Sequence, residues 1–274
     1  MPVETGVLQW LKWDTQAGAE YKCPGLVVGG QIQANSGMTV RRGIGDQSSP
    51  FAGPVDFRCS ANIETTSDSK ALLEYAIRAA GALTALKVSG GSEAYDFEQE
   101  NAYINSMRLS GAVNSPLTAV LELMAKTETE AAAGGSPVAL ESDLYAWQNA
   151  AVTIGSGYKC QAFEVNLNNN LSLYHSLDSK AATEKRLPTG INVGAEEITC
   201  SFDLLEKLTW DPDEDTPAVN LGAIVTYSIG ENTITITLTN LAHTGARAMP
   251  FQGDGGLVVW RYEFLGIGGS LAIT

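Results

Sequence analysis

The chain has 274 residues, a length that allows one large domain or two smaller ones. It contains 31 acidic and 17 basic side chains, which give a formal net charge of −14. Apolar residues make up 44% and charged residues 18%, which excludes a disordered chain and a charged coiled coil. The acidic balance argues against a protein that binds nucleic acid through clustered lysines and arginines.

No apolar run approaches the roughly 18 residues of a membrane span. The first residues do not show the basic and apolar segments of a secretory signal. We therefore expect folding in a cytoplasm, with reduced cysteines.

The two halves of the sequence resemble each other. A shift of 137 residues places Val3–Trp10 over Leu140–Trp147, and Tyr21–Cys23 over Tyr158–Cys160. A shift of 141 residues then places Cys59 and its neighbours over Cys200 and its neighbours. Matches at a nearly constant shift predict an internal duplication.

The segment between the halves, Glu130–Pro137, contains small residues, two glycines and a proline, which is typical of a linker. We predict one module at residues 1–133 and a second at 138–274, joined by residues 134–137.

The first predicted element in chain order that departs from a β pattern is a helix. Apolar residues at helical spacing predict it from Ser69 to Ala80. Ser67 or Asp68 would cap its start, and Gly81 would end it.

The other elements are predicted strands. Leu117–Met124 and the closing segment Leu257–Leu265 place large apolar residues on one face. Thr233–Thr239 alternates strictly between threonine and apolar residues, which predicts a half-buried strand. Ile224–Ile229 is a second strand, joined to it by a hairpin loop at 230–232.

In the second module, the place of the helix falls at Phe202–Leu208, which allows at most two helical turns. The predicted fold is mainly β: two tandem β-sandwich or barrel modules, each with a flanking helix or helical turn.

The sequence shows no catalytic motif. It contains neither a G-x-S-x-G elbow nor a P-loop, and we expect His175 and His243 on the surface or in turns. The four cysteines form no C-x-x-C pair, so we favour buried free thiols over one disulfide in each module. We predict no catalytic residue, no metal and no cofactor.

Two acidic segments and one pair of tryptophans invite a functional interpretation. Aspartates alternate in Asp211–Asp215 as at the start of a calcium-binding loop. Because the glycine and the distal glutamate of such a loop do not follow, a solvated loop is favoured over a cation site. Asp96, Glu98 and Glu100 alternate along a strand, and a solvated edge is favoured over a glycosidase pair. Trp10 and Trp147 fall at matching places and are expected in the core.

Several segments of the second module carry a resemblance. Phe163–Leu171 is a strand that ends in an asparagine-rich turn, followed by a small, polar region with Arg186 and Pro188–Gly190. Glu196–Phe202 is then a strand with alternating small polar residues. This order resembles the tail tube proteins of long-tailed bacteriophages, as does Gly6–Trp10 near the start of the chain.

The resemblance implies a structural virion protein assembled in the host cytoplasm. Modules of this family form six-membered rings that stack into a tube, through which phage DNA passes without specific binding. Two modules in one chain favour trimeric rings that mimic hexamers, and a flexible, non-contractile tail. The implied partners are other copies of the chain, the tape-measure protein, and the tail terminator and distal tail proteins, with no membrane.

Two sets of residues are candidates for assembly and conduit functions. The loops 41–54 and 174–190 are long and rich in charge, and we expect them to contact the next ring. Their candidate residues are Arg41, Arg42, Asp46, Asp178, Lys180, Glu184, Lys185 and Arg186. The acidic residues expected to face the lumen are Asp96, Glu98 and Glu100, because an acidic wall repels DNA phosphates.

Two alternatives remain at the level of sequence. The first is another structural or adhesive virion protein, such as a capsid decoration, a tail adhesin or a pilus-like subunit. The second is a carbohydrate-active β-sandwich enzyme that uses carboxylates such as Asp96 and Glu98.

Overall fold

The structure of the chain is a computed structural model. It describes residues 10–35, 38–42, 48–52, 54–78, 82–91, 96–131, 138–140, 142–155, 157–176, 186–206, 208, 219–248, 259–266 and 270–274.

These residues form eighteen strands, one α-helix (α1, Ser69–Glu74) and one turn of 3₁₀ helix (Trp147–Asn149). The strands of the first half are β1 (Trp10–Thr15), β2 (Leu26–Asn35), β3 (Met38–Arg42), β4 (Ser48–Ala52), β5 (Asp56–Glu64), β6 (Leu86–Gly91), β7 (Asp96–Ala112), β8 (Thr118–Ala125) and β9 (Thr127–Ala131). Those of the second half are β10 (Ala150–Ile154), β11 (Cys160–Asn168), β12 (Leu171–Tyr174), β13 (Gly190–Val193), β14 (Glu197–Leu204), β15 (Val219–Ile229), β16 (Asn232–Ala248), β17 (Trp260–Gly266) and β18 (Leu271–Ile273).

Eight strands form one continuous antiparallel sheet, which we call the long sheet. Their order is β2-β5-β8-β7-β11-β14-β17-β16, so the first four come from the first half and the last four from the second. The halves meet where β7 pairs with β11 over seven residue pairs, from Ser106–Asn168 to Ala112–Ala162. We call this pairing the junction.

Strands β7 and β16 each have 17 residues and belong to two layers. Their first parts complete two short sheets, β1-β6-β7-β9 and β10-β15-β16-β18, and their second parts join the long sheet. Each strand passes between layers near an asparagine with positive φ, Asn101 at 50° and Asn240 at 53°. Asparagine tolerates this left-handed conformation better than most residues, which allows the local irregularity.

The core lies between the long sheet and the short sheets. Strand β5 alternates: Cys59, Ala61 and Ile63 are buried, and Ser60 and Asn62 between them are half-buried and exposed, as a sheet with one covered face requires. One continuous hydrophobic cluster joins such residues to Trp13 and Val88 of the first short sheet and to Ile236 of the second. The fold is therefore a layered β structure with a single core.

The predicted strands are confirmed. Leu117–Met124 corresponds to β8, Ile224–Ile229 to the end of β15, and Thr233–Thr239 to the first part of β16. The loop between the last two is a turn at Gly230, whose φ is 59°. The closing segment is β17 from Trp260 onward.

The predictions for both helices need correction. Helix α1 ends at Glu74 instead of continuing to Ala80, and Gly81 lies outside the described residues. The side chain of Asp68 makes no cap and instead accepts a hydrogen bond from Ser142 Oγ at 2.8 Å. In the second half, β14 continues to Leu204, so Phe202–Leu204 is strand and not helix.

Two predictions about aromatic side chains were wrong. Trp10 is buried in β1, but Trp147 lies in the 3₁₀ turn and is 44% exposed. His243 is neither on the surface nor in a turn, because it is buried in β16 with its ring edge-on to Tyr262 and Phe264.

The four cysteines are free thiols, as favoured from the sequence. Cys23, Cys59 and Cys200 are buried, and Cys160 is half-buried. Burial raises the pKa of Cys59, Cys160 and Cys200 to about 12, since a thiolate loses hydration there. Among the described residues, no helix is long and apolar enough to span a membrane.

Candidate functional site: a polar sheet face and its two ends

The face of the long sheet that points away from the core is polar. Along each strand most residues between the buried ones are small, hydroxyl, amide or charged, and the strand registers align them into rows across the sheet. Leu26, Val120 and Leu265 are exposed apolar residues on the same face. One row contains Gln31, Ser60, Glu122, Ser106 and Asn168. We call this surface the polar face.

Carboxylates dominate the polar face. Its described acidic residues are Asp56, Glu64, Glu122, Glu164, Glu197, Asp203 and Glu263, and its described basic residues are Arg58, Arg108 and Arg261. These described positions include no lysine. The polar face therefore carries a net negative charge, to which strands on both sides of the junction contribute.

Two of the three arginines pair with carboxylates of the same face. Arg108 of β7 forms an ion pair with Glu164 of β11, and Arg261 lies 3.4 Å from Asp203. Burial opposes ionisation of Glu164, but hydrogen bonds from Asn166 and Arg108 and the charge of Arg108 outweigh it, so the pKa of Glu164 is lowered. Such pairing reduces the charge that these guanidinium groups offer to a passing phosphate.

A buried asparagine secures the junction. Asn169 is 0% exposed and follows β11 directly. Its side-chain amide donates to the carbonyls of Ala76 and Ile104, and its side-chain oxygen accepts from Arg78 Nε. Arg78 also donates to the Asn169 carbonyl at 2.8 Å. The segment after α1 and strand β7 are thereby tied to the second half.

The opposite end of the junction is packed with aromatic rings. Gly111 of β7 lies opposite Phe163 of β11, and Phe163 packs against Tyr227 with ring centroids 6.4 Å apart. A Cβ atom at position 111 would overlap the Phe163 ring and the Tyr227 hydroxyl group. The close approach of the two halves therefore requires glycine here.

The long sheet ends in two strand edges. Strand β2 pairs with β5 on one side, and Arg247 and Ala248 at the end of β16 pair with β17 on one side. Within the described part of the chain, neither edge has a strand on its other side. A row of open N–H and C=O groups is a template for pairing with another strand.

The hairpin β12–β13 reaches back to the first half. The carbonyl of Arg186 accepts a hydrogen bond from the Val55 N–H at 2.8 Å, and His175 Nε2 lies 4.0 Å from Asp56 Oδ1. His175 Nδ1 is also 3.2 Å from the Leu187 carbonyl. The ends of the segment that connects β12 to β13 thus contact the first half.

The structure places the acidic residues predicted for the lumen in the first short sheet. Asp96 is buried and accepts from Ser89 Oγ, and Glu98 accepts from the hydroxyl group of Tyr21. Burial and the neighbouring Glu98 raise the pKa of Tyr21. Glu100 is half-buried on the same part of β7. None of the three lies on the polar face.

The loop candidates are only partly described. Arg41 and Arg42 lie in strand β3, and Arg186 lies in the segment between β12 and β13, where its carbonyl accepts from Val55. Asp46, Asp178, Lys180, Glu184 and Lys185 lie outside the described residues, as does the acidic loop 211–215.

Sequence reasoning missed the residues that join the halves. Arg78, Gly111 and Asn169 carry the junction, and none belongs to a motif. The asparagine-rich turn that contains Asn169 is a signal for the family resemblance and not for this contact. In the described part of the chain, no cluster of histidine, cysteine or carboxylate side chains could hold a metal ion.

A family model described as phage tail tube protein matches residues 12–257, which is most of the chain. No curated protein matches the sequence.

Proposed function

The chain belongs to the phage tail tube protein family, and we propose that it assembles into closed rings that stack into the conduit for DNA ejection. Membership makes it a structural component of the virion tail. The main observation in support of this proposal is the junction. There β7 of the first half pairs with β11 of the second, and a closed ring needs the same kind of strand pairing between neighbouring chains.

We propose that the chain is a tandem duplication with the modules predicted above, because the pairing scheme of the first half repeats in the second. Strands β2, β5, β8 and β7 follow one another in the long sheet as β11, β14, β17 and β16 do. Cys59 pairs with β2 and β8, and Cys200 pairs in the same way with β11 and β17. Asn101 and Asn240 also occupy corresponding places.

Ring closure follows from repeating the junction between chains. At the junction, the second part of β7 pairs with β11. The corresponding strands at the ends of the long sheet are β16 and β2, and both have an open edge in the described structure. Pairing β16 of one chain with β2 of the next continues the sheet, and closure removes edges that would otherwise aggregate. With two modules in each chain, three chains make a six-module ring.

We assign the lumen to the polar face instead of to Asp96, Glu98 and Glu100. The apolar face of the long sheet is covered by the short sheets, so a barrel closed from this sheet has the polar face as its inner wall. Its excess of carboxylates and its paired arginines support DNA passage without retention, since phosphates are repelled and find few available cations.

Stacking of rings is assigned to the tips of the hairpins in loops 41–54 and 174–190. The family also suggests a tape-measure protein inside the tube, and tail terminator and distal tail proteins at its ends. Assembly would take place in the host cytoplasm, and the duplicated chain favours a non-contractile tail.

Negative-stain electron microscopy of the purified chain, with mass from light scattering, tests the proposal. We expect rings of three chains, or hollow tubes built from such rings, as the concentration rises. Solid filaments, closed dimers or a monomer at every concentration would contradict it.

A further inference from the structure

We propose that Tyr174 of one ring packs against Trp147 of the next ring, and that this aromatic contact holds stacked rings together. The inference rests on the proposed function, because it names the two surfaces that meet when rings stack. Each surface is therefore covered by a second copy of this chain.

Trp147 lies in an apolar groove at one end of the long sheet. Its side chain is 44% exposed, and the groove beside it has a volume of about 360 Å³. The groove is also lined by Val113, which is exposed, and by Ala150 and Val152 of β10. We call this surface the Trp147 groove. An exposed tryptophan among apolar side chains is typical of a contact surface, because a partner that covers it removes a large apolar area from water.

Packing within the chain does not account for Trp147. Trp10, which matches it in the sequence, is buried in β1 and belongs to the interior of the first half. Trp147 lies instead in the 3₁₀ turn that precedes β10. The second half thus presents to solvent the tryptophan that the first half buries.

Tyr174 lies on the hairpin β12–β13. Its side chain is 43% exposed, and its ring lies across Gly190 of the paired strand, where a Cβ atom would overlap the ring. Glycine therefore allows the ring to lie against the hairpin backbone. Tyr174 and Trp147 are the two exposed aromatic side chains in the described part of the chain.

Strand β11 separates the two surfaces. It begins at Cys160, which lines the Trp147 groove, and ends three residues before the hairpin begins at Leu171. The Leu171 N–H donates to Asn105 Oδ1 at 2.8 Å, which fixes the start of the hairpin at this end of β7 and β11. A strand of nine residues spans about 27 Å, so the two surfaces lie at opposite ends of the long sheet.

These two ends become opposite rims of the proposed ring. Strands of a closed barrel are tilted by about 35–45° to its axis, so the two ends of β11 lie on different rims. Rings that stack in one direction bring the hairpin rim of each ring against the groove rim of the next. A contact between two different surfaces repeats without closing, as a growing tube requires.

Charges on the two rims support stacking in one direction. Lys159 lines the Trp147 groove, and its side chain remains largely exposed although Glu206 lies 3.9 Å away. Glu197 is exposed where β14 begins, four residues after the hairpin ends. A lysine on one rim and a glutamate on the other favour contact between unlike rims over contact between like rims.

Alanine substitution tests the contact. Trp147→Ala and Tyr174→Ala should each raise the ring concentration at which half of the rings are stacked about tenfold, as expected when an aromatic anchor is removed. Rings of three chains should persist in both variants, because neither residue lies in β2 or β16. Electron microscopy counts rings and tubes, light scattering gives their mass, and urea unfolding checks that each variant folds.

The double variant distinguishes one direct contact from two separate effects. Because a contact can be lost only once, Trp147→Ala/Tyr174→Ala should stack no more than about threefold less readily than either single variant. Independent effects would multiply to about a hundredfold, and that result would overturn the contact.

Ile224→Ala is the matched control, since it removes an exposed apolar side chain from the second short sheet. It should leave stacking unchanged. Single variants that stack like the wild type, single variants that lose rings as well as tubes, or a control that loses stacking equally would overturn the contact while the wild-type ring still stands. A wild-type chain that forms no rings would overturn the proposed function as well.

Discussion

Asn169 illustrates how one side chain holds the two halves together. Replacing it with alanine removes two donors and one acceptor and leaves the buried carbonyls of Ala76 and Ile104 without them. Because unsatisfied buried polar groups are costly, we expect Asn169→Ala to lower the free energy of unfolding by about 3 kcal/mol. Urea denaturation measures the change.

The control for this variant is Asn62→Ala, at an exposed position on β5. It should change the free energy of unfolding by less than about 0.5 kcal/mol. Equal losses in the two variants would show that Asn169 contributes no more than a surface asparagine.

The buried thiols give stability a dependence on alkaline pH. Burial raises the pKa of Cys200 to about 12 in the folded chain, whereas an unfolded thiol ionises near its ordinary value of about 8.5. Above that value the unfolded state loses its proton first, so the free energy of unfolding falls as pH rises towards 12. The stabilising effect is complete below the unfolded pKa.

Cys200→Ala removes one such group. The fall in unfolding free energy between pH 9 and 12 should become shallower by up to about 1.4 kcal/mol per pH unit, while any loss of packing shifts the whole profile equally. Urea unfolding at several pH values gives both slopes. Parallel profiles for wild type and variant would refute a raised thiol pKa.

At the level of residues, the sequence predicted which side chains are buried better than which distant side chains contact each other. The alternation of Ile234, Ile236 and Leu238 predicted their burial, because an amphipathic strand has one face to cover. It could not predict that Arg78 would reach Asn169, since that contact joins residues 91 positions apart through tertiary packing. The prediction that Asp96, Glu98 and Glu100 face the lumen rested on their charge. Alternation alone could not show that this part of β7 belongs to a short sheet.

At the level of elements, the junction requires close approach of β7 and β11. A Cβ at position 111 would overlap Phe163 and Tyr227, so Gly111→Ala must push β11 or the rings aside. We expect a loss of about 2 kcal/mol in the free energy of unfolding, typical of overpacking. Chemical denaturation of the purified variant measures it.

Gly29→Ala on β2 is the matched glycine control, since nothing lies within 4 Å of a Cβ at that position. It should be neutral or slightly stabilising, because alanine restricts the unfolded chain. A neutral Gly111→Ala would mean that the junction has room for a larger side chain.

The predicted strands are confirmed because alternation of apolar and polar residues is visible within each segment. The predicted helices were too long or absent because contacts between distant segments determine where those helices end. Apolar residues have helical spacing from Ser69 to Ala80, but the helix ends at Glu74. Arg78 lies beyond the helix and donates a hydrogen bond to the carbonyl of Asn169. The shift of 137 residues placed Trp147 over Trp10, but Trp147 is an exposed residue in a 3₁₀ turn. The shift of 141 placed Cys200 over Cys59. These two cysteines do have corresponding strand partners, since Cys59 pairs with β8 and Cys200 pairs with β17.

At the level of the whole molecule, the account depends on the charge of the polar face. Reversing Glu64 and Glu263 to lysine adds cations on this face, so assembled tubes should gain affinity for double-stranded DNA that disappears as salt is raised. Filter binding at low and high salt measures the affinity.

Glu206→Lys with Glu231→Lys makes the same change in charge away from the polar face, at two exposed positions. These tubes should retain little DNA. If both double variants bind equally, net charge and not the polar face controls retention, and the lumen assignment is wrong.

The most direct test of the ring is a disulfide between the two ends of the long sheet. At the junction Asn166 lies opposite Arg108, and the corresponding positions at the ends are Gln33 and Ala248. Opposed residues in antiparallel strands are close enough for a disulfide. Assembled Gln33→Cys/Ala248→Cys protein should therefore cross-link on oxidation.

The measurement is the mass of the oxidised product under denaturing, non-reducing conditions, with Gln33→Cys/Ser228→Cys as the control pair. The account predicts products of two and three chains that stop at three, and little product from the control. No cross-link in assembled material, products that continue beyond three chains, or equal cross-linking of the control pair would contradict a closed ring of three chains joined through β2 and β16.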